Sequence, residues 1–578
     1  MLPLITEGSA IFRQSLRLEG PSTSLFATTA RHLEKNIQGL ADKYSKAIGR
    51  HLAFLLSEQE EMAMMEESHE STLESGGSED GSDYPESKEL TDLNNQIFIA
   101  KGRRLLWGFA AALYLIPPTE PVGPGLAQWQ ISCSPGKVRR VLDQSAQITS
   151  SIDWKVYEKM ALLCLLSELT DSLQTYQGGG SDHNVARALL ALLQNRPSLE
   201  KSHSRSDFAD KWRMWLKSVV AEKERLRSID ITYPFRLLDI LSGDARAILE
   251  ASRTWSEAYV ALAYHSDPSA DALSLRPLGR KCMQAFGLAD TAKTLEEAEE
   301  EEEEESETFL DCVRALIEGR FILAMEGCKV MDGWMGAHLA DLFARRGYLE
   351  DPRLRRQQGQ GEVTLRQYFI MDYATELWNA QDTWEVSGTY FGECGALGKA
   401  HLQELITTVP VRTEAQLVRI LDFCVKYNLR HQYREILRVW GMRLFRQGRP
   451  IPAIDRLAQA DCGDIVNEII RDVFNRCVRQ ENCSTEEETL VPISKRLPVN
   501  LQIQDEGMNK RKGLEKRFPA FRTLLNYQRF QKLMATDGVN TESARLLSSL
   551  LTSPYTPSTA IRRLYAQLVA FLEKDHCK

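Results

Sequence analysis

Residues 413–448, TEAQLVRILDFCVKYNLRHQYREILRVWGMRLFRQG, carry the pattern on which the fold turns. Leu417, Ile420, Leu421 and Cys424 stand at offsets 0, 3, 4 and 7, which places four apolar side chains on one face of a helix. Thr413 with Gln416 three residues on reads as a capping box at its start, and Pro410 upstream stops whatever helix precedes it. A break at Tyr427-Asn428-Leu429 follows. Tyr433, Ile436, Leu437, Trp440 and Leu444 then form a second stripe, which Gly448 closes.

The same ending recurs. Gly243 follows Leu241, Gly319 follows Ile317 and Gly347 follows Phe343, each succeeded at once by another amphipathic segment. Glycine takes the left-handed position after a helix at little cost, so the pattern predicts helix, short turn, helix, repeated. No strict repeat period emerges, and strand-like alternation is confined to short stretches such as Leu501–Ile503. The expected fold class is all-α, an irregular α-solenoid without a sizeable sheet.

Charge divides the chain. Eight acidic residues and no Lys or Arg lie between Glu66 and Ser87, and ten Glu, again without a basic residue, between Leu295 and Glu307. Setting these 18 aside leaves 62 acidic residues against 71 Lys plus Arg, so the net charge of -9 conceals a mildly basic body. Basic charge of that size is the ordinary state of a solvated surface, and it sets nucleic acid aside as the expected partner. Both acidic segments are poor in apolar residues and are expected to be disordered. The expected organisation is N-terminal helices (1–65), an acidic linker (66–90), a first helical block (91–294), an acidic loop (295–308), a second block (309–483) and C-terminal tail helices (484–578).

The 11 cysteines include no C-x-x-C pair and follow no signal-peptide pattern, as expected of reduced thiols in the cytosol or nucleus. The longest strongly apolar run, Leu105–Ile116, is shorter than the roughly 20 residues a spanning helix needs. Any membrane role is expected to be peripheral.

Candidate chemistry is sparse. Gly392–Lys399, GECGALGK, has Glu393 and Ala400 where a phosphate loop needs Gly and Ser or Thr. No Asp-Asp dipeptide, H-E-x-x-H, G-x-S-x-G or zinc spacing occurs. His338 and Asp341 sit one turn apart and could hydrogen-bond, but Met335, Leu339, Leu342 and Phe343 make their helix a packed one. The expected role of the pair is structural, with no catalytic residue, cofactor, metal or small-molecule substrate. In the basic stretch Asn509–Lys532, Phe518, Phe521, Tyr527 and Phe530 are expected to pack inward on amphipathic helices.

Trp334, Ala337, His338, Asp341 and Leu342, then Tyr368, Phe369, Tyr373, Ala374 and Trp384, then Val409, Pro410, Thr413 and Glu414, then Gly448, Arg449 and Ala453, form a track that resembles the nucleoporin-eighty-five family. DKWRMWL with Trp212 and Trp215, LLDILSGDARAIL with Gly243 and Asp244, and NYQRFQKLMATDGVNTESARLLSSLLTSPYTPSTAIRRLY extend the likeness, with gaps, from about Asp207 to about Leu572. The resemblance implies a folded-back, coat-type helical scaffold with crown, trunk and tail. It also implies no enzymatic activity and a place in the outer ring of the nuclear pore, within the Y-shaped subcomplex.

Its partners by that resemblance are other Y-subcomplex nucleoporins at the tail and a Seh-type β-propeller at the N-terminus, completed by an inserted β-blade. Only about ten residues precede AIFRQSLRLEG, too few for three strands. The start is then missing from this chain, or the propeller is contacted differently. Trp212, Trp215, Trp334, Trp384 and Trp440 are expected to hold the frame, and Tyr527, Phe530, Leu546 and Leu550 to face a tail partner. A helical scaffold of a vesicle coat or another large regulatory assembly is the alternative reading.

Overall fold

The computed structural model describes residues 2–16, 26–73, 86–117, 120–148, 152–199, 202, 204–228, 234–288, 301–349, 363–380, 383–479, 518–536 and 540–576. Among them are 26 α-helices and no strand, an all-α fold as the periodicity predicts. The chain forms two compact units, Met1–Cys394 and Gly395–Lys578. Their boundary falls inside the block expected at 309–483.

The capping signals translate directly into geometry. Thr413 and Gln416 cap each other's backbone at the start of the helix Glu414–Lys426, and Thr364 with Gln367 does the same for Leu365–Asn379. Gly243, Gly319, Gly347 and Gly448 have φ of 77°, 68°, 79° and 77°. Each closes its helix with the paired backbone bonds of a Schellman turn, as where Gly243 N–H donates to Ile240 O and Asp244 N–H to Asp239 O. Gly243 has a second reason to be glycine, since a Cβ there would stand 2.6 Å from Ser266 Cα. Asn428, at the expected break, takes φ 54°.

The first unit opens with the helix Leu2–Leu16 and the long helix Phe26–Leu73, which pairs with Glu86–Ala110. Leu52, Leu55, Leu93, Ile97 and Ala100 fill the seam between the two. The latter runs into a buried π-turn, Ala111–Leu115. Glu301–Glu318, Phe321–Met331, Gly333–Arg345, Leu365–Asn379 and Trp384–Glu393 follow as consecutive packed neighbours. Chain direction then turns back on itself, because Leu2–Leu16 packs on Trp384–Glu393, and Gly333–Arg345 touches the long N-terminal helices. In Gly333–Arg345 every residue from Trp334 to Phe343 is buried, so this central helix has no solvent face over nearly three turns.

The expected acidic disorder is corrected at its edges. Residues 66–73 are the last two turns of Phe26–Leu73, 86–90 the first turn of Glu86–Ala110, and 301–308 the start of Glu301–Glu318. Glutamate is a good helix former, so a nucleated helix extends through these residues, and at 86–90 and 301–308 the negative charge also lies at the favourable N-terminal end. Residues 74–85 and 295–300 lie outside the described residues.

In the second unit, Leu417, Leu421, Leu437, Trp440 and Leu444 form one core cluster, between the hairpin helices Glu414–Lys426 and Arg430–Arg446. A larger cluster joins Gly463–Arg479 to the tail helices Pro519–Thr536, Thr541–Thr552 and Ser558–His576.

Candidate functional site

The densest polar chemistry of the first unit lies around the central helix. Asp332 caps its start, accepting from Trp334 N–H at 3.2 Å. The same carboxylate pairs with Arg103 of Glu86–Ala110, both side chains almost wholly buried, and the Arg103 guanidinium sits 5.7 Å from the Trp334 ring centre. A charge pair at this depth ties the two helices together, because neither partner can be removed without stranding the other.

One turn on, His338 is fully buried in an aromatic cage. Its ring centre is 4.5 Å from Trp334, 4.8 Å from Tyr44, 5.7 Å from Tyr390 and 5.8 Å from Tyr373. Nδ1 lies 2.6 Å from Trp334 O and Nε2 3.0 Å from the Tyr390 hydroxyl. A carbonyl only accepts, so Nδ1 carries the proton and Nε2 accepts from Tyr390 O–H. Burial pushes the imidazole pKa down to about 4, against the weaker upward pull of the Trp334 carbonyl and Asp341. Burial likewise raises the Tyr390 and Tyr44 hydroxyls.

Asp341, also fully buried, turns away from His338. It accepts from Arg366 Nε at 2.6 Å, Arg345 Nε at 3.0 Å and Ser15 Oγ at 3.4 Å. Ser15 also accepts from Arg345 Nη2 at 3.1 Å. The two residues therefore serve separate networks rather than forming a dyad. Both ring nitrogens of His338 and both carboxylate oxygens of Asp341 are engaged inside the protein. A general base needs a free lone pair within reach of substrate, and this one has none.

The helix Leu2–Leu16 completes the cluster. Phe12 stacks on Tyr390 at 4.7 Å, and a Cβ on Gly8 would lie 2.5 Å from Trp334 Nε1, so only glycine permits the approach. Sequence reading missed this helix as a partner of residue 338. Its signal was present, however: Leu4, Gly8, Ile11, Phe12 and Ser15 fall on one helical face.

The frame tryptophans Trp212, Trp215, Trp334 and Trp440 are buried, and Trp384 is half-buried against Trp378. The four residues expected to face a tail partner are placed differently. Tyr527, Phe530 and Leu550 lie in the core of the second unit, and Leu546 packs partly buried against it. The helical spacing from which inward packing of Tyr527 and Phe530 was expected is the spacing of this core, and burying these side chains inside the unit removes more apolar area from water than a rim contact does. Phe518 and Phe521 join them, while residues 509–517 lie outside the described residues. Gly392–Lys399 runs from one helix end into the next helix start, without a phosphate loop.

Comparison with known proteins agrees with this architecture. The Nup85 nucleoporin family model matches residues 43–578. Nucleoporin nup85 of Schizosaccharomyces pombe is 22% identical over 396 residues, covering 65% of this chain and 56% of that protein. Nuclear pore complex protein Nup85 of Homo sapiens is 20% identical over 530 residues, 89% of this chain and 73% of that protein. The Arabidopsis thaliana protein of the same name is 23% identical over 330 residues, 56% of this chain and 42% of that protein. The match thus spans little more than half the length of the fission yeast relative and nearly three quarters of the human one. With a family match running through the long N-terminal helices, the central helix and the tail alike, the chain belongs to the Nup85 nucleoporin family.

Proposed function

We propose that this chain is a structural scaffold subunit of the nuclear pore complex outer ring, in the Y-shaped subcomplex at the nuclear envelope. By that role it supports pore assembly, nucleocytoplasmic transport and mRNA export through protein packing. The observation that carries the reading is the family match over residues 43–578. The central helix adds support, since its polar groups are spent on holding neighbouring helices.

Two contacts refine the proposal. The tail docks other Y-subcomplex nucleoporins, and the last helix offers Tyr565 and Val569, four residues apart and both more than half exposed, as the apolar face for it. A Seh-type β-propeller binds at the N-terminal end. A fluorescently tagged chain is expected at a punctate nuclear rim, and affinity purification to recover nucleoporins. A diffuse cytoplasmic signal with coat subunits in the purified material overturns the reading.

A further inference from the structure

An open trough of about 790 Å³ in the first unit is lined by one cation, Arg196, which makes no ion pair with a described carboxylate. Arg196 follows the helix Ser181–Gln194, and its guanidinium lies 4.7 Å from the Tyr264 ring centre, 5.0 Å from Trp212 and 5.9 Å from Trp215. Nη2 donates to Tyr264 O at 3.1 Å, whereas the buried Nε–H has no acceptor among the described residues. No described carboxylate forms an ion pair with it. Glu120 lines the same trough and forms no described ion pair with Arg196. The titratable neighbours do not offset the charge: burial pushes His265 down to about 3 and the Cys164 thiol up to about 12, so both are neutral.

Three aromatic rings close around the guanidinium and restrict it, which lowers the entropy it loses on pairing with a carboxylate. Around it the walls are apolar at Pro121, Leu166, Pro197 and Phe208, with hydroxyls at Ser167 and Thr170. A single cation, with Glu120 on the same trough, does not suit a nucleic acid backbone, whose binding needs several phosphate contacts. We propose that the trough binds a short acidic peptide segment of a partner protein, one Asp or Glu carboxylate pairing with Arg196 and its apolar neighbours lying on the walls.

The test uses the full chain and two fluorescent pentapeptide libraries, one with Asp fixed at the centre and one with Asn, the flanking positions randomised among Leu, Pro, Val and Ser. Polarisation is expected to show at least a tenfold preference for the Asp library. Arg196→Gln is expected to reduce that preference to about one. Because Arg196→Gln disturbs the packing of Trp212 and Tyr264, a second variant is needed: Ser167→Trp fills the trough from an exposed position and is expected to weaken Asp-library binding at least tenfold. Equal binding of the two libraries, no binding at millimolar peptide, or unchanged binding by Ser167→Trp overturns the proposal.

Discussion

His338 Nε2 accepts a hydrogen bond from the Tyr390 hydroxyl at 3.0 Å, joining two helices 52 residues apart in a site from which water is excluded. Tyr390→Phe removes the donor, keeps the ring that stacks on Phe12, and strands a buried nitrogen. A loss of about 1–3 kcal/mol follows, read as a lower urea midpoint of the first unit. An unchanged midpoint sinks the assignment of this bond.

Asp341 stands between two guanidiniums, and its removal leaves Arg345 and Arg366 facing each other in a nearly dry site. Asp341→Ala is expected to cost about 3–5 kcal/mol. Soluble yield and thermal midpoint are the measurements. A variant as stable as the parent contradicts the network.

Acidity should weaken the fold through buried imidazoles. His338 is neutral in the folded chain, its pKa lowered from 6.5 to about 4 by burial. The unfolded chain therefore binds a proton first as pH falls below about 6.5, and stability drops until the folded state also protonates near pH 4. The shift corresponds to about 3 kcal/mol. His51, lowered to about 4, adds a loss of the same sign. Denaturation midpoints between pH 7 and 4 should fall, and fall less in His338→Asn. Equal slopes in the two proteins contradict the linkage.

Two glycines of the same backbone conformation should respond unequally to alanine. At Gly347 the space beside the Cα is open, so Gly347→Ala pays only the left-handed strain, about 1–2 kcal/mol. At Gly243 the new methyl also meets the backbone of His265 and Ser266, and the loss should be larger. Equal losses would show that the second helix yields.

Gly8→Leu should unseat the N-terminal helix, because the side chain must displace the Trp334 indole. Trypsin cleavage after Arg13 is then expected to accelerate at least tenfold, while Ala10→Ser at an exposed position of the same helix leaves it as it was. Equal cleavage of parent and Gly8→Leu argues against the seat.

Much of this fold was legible in local sequence because its signals are local. A capping box at Thr413, Schellman glycines at 243, 319, 347 and 448, and stripes of period 3.6 each act within a few residues. The left-handed Cys164 was not legible, since cysteine does not advertise the conformation. Nor was the use of apolar faces. Leu550 and Tyr565 sit on similar stripes, yet one is core and the other solvent-exposed, a choice made by neighbouring helices and not by spacing. A structural role for His338 and Asp341 was expected from their company, as a polar pair at the edge of a packed helix, whereas both are fully buried. Their separate partners, Tyr390 on one side and Arg366 and Ser15 on the other, depend on contacts across tens to hundreds of residues, which periodicity does not encode.

The seat of Phe12 on Tyr390 also sets an order of events during synthesis. The first helix leaves the ribosome early, but the ring it stacks on is encoded about 380 residues later. At about 5–20 residues per second that is an interval of roughly 20–75 seconds. Through it the helix can dock only on Phe26–Leu73, and the stack of Phe12 on Tyr390 closes once the middle of the chain is made.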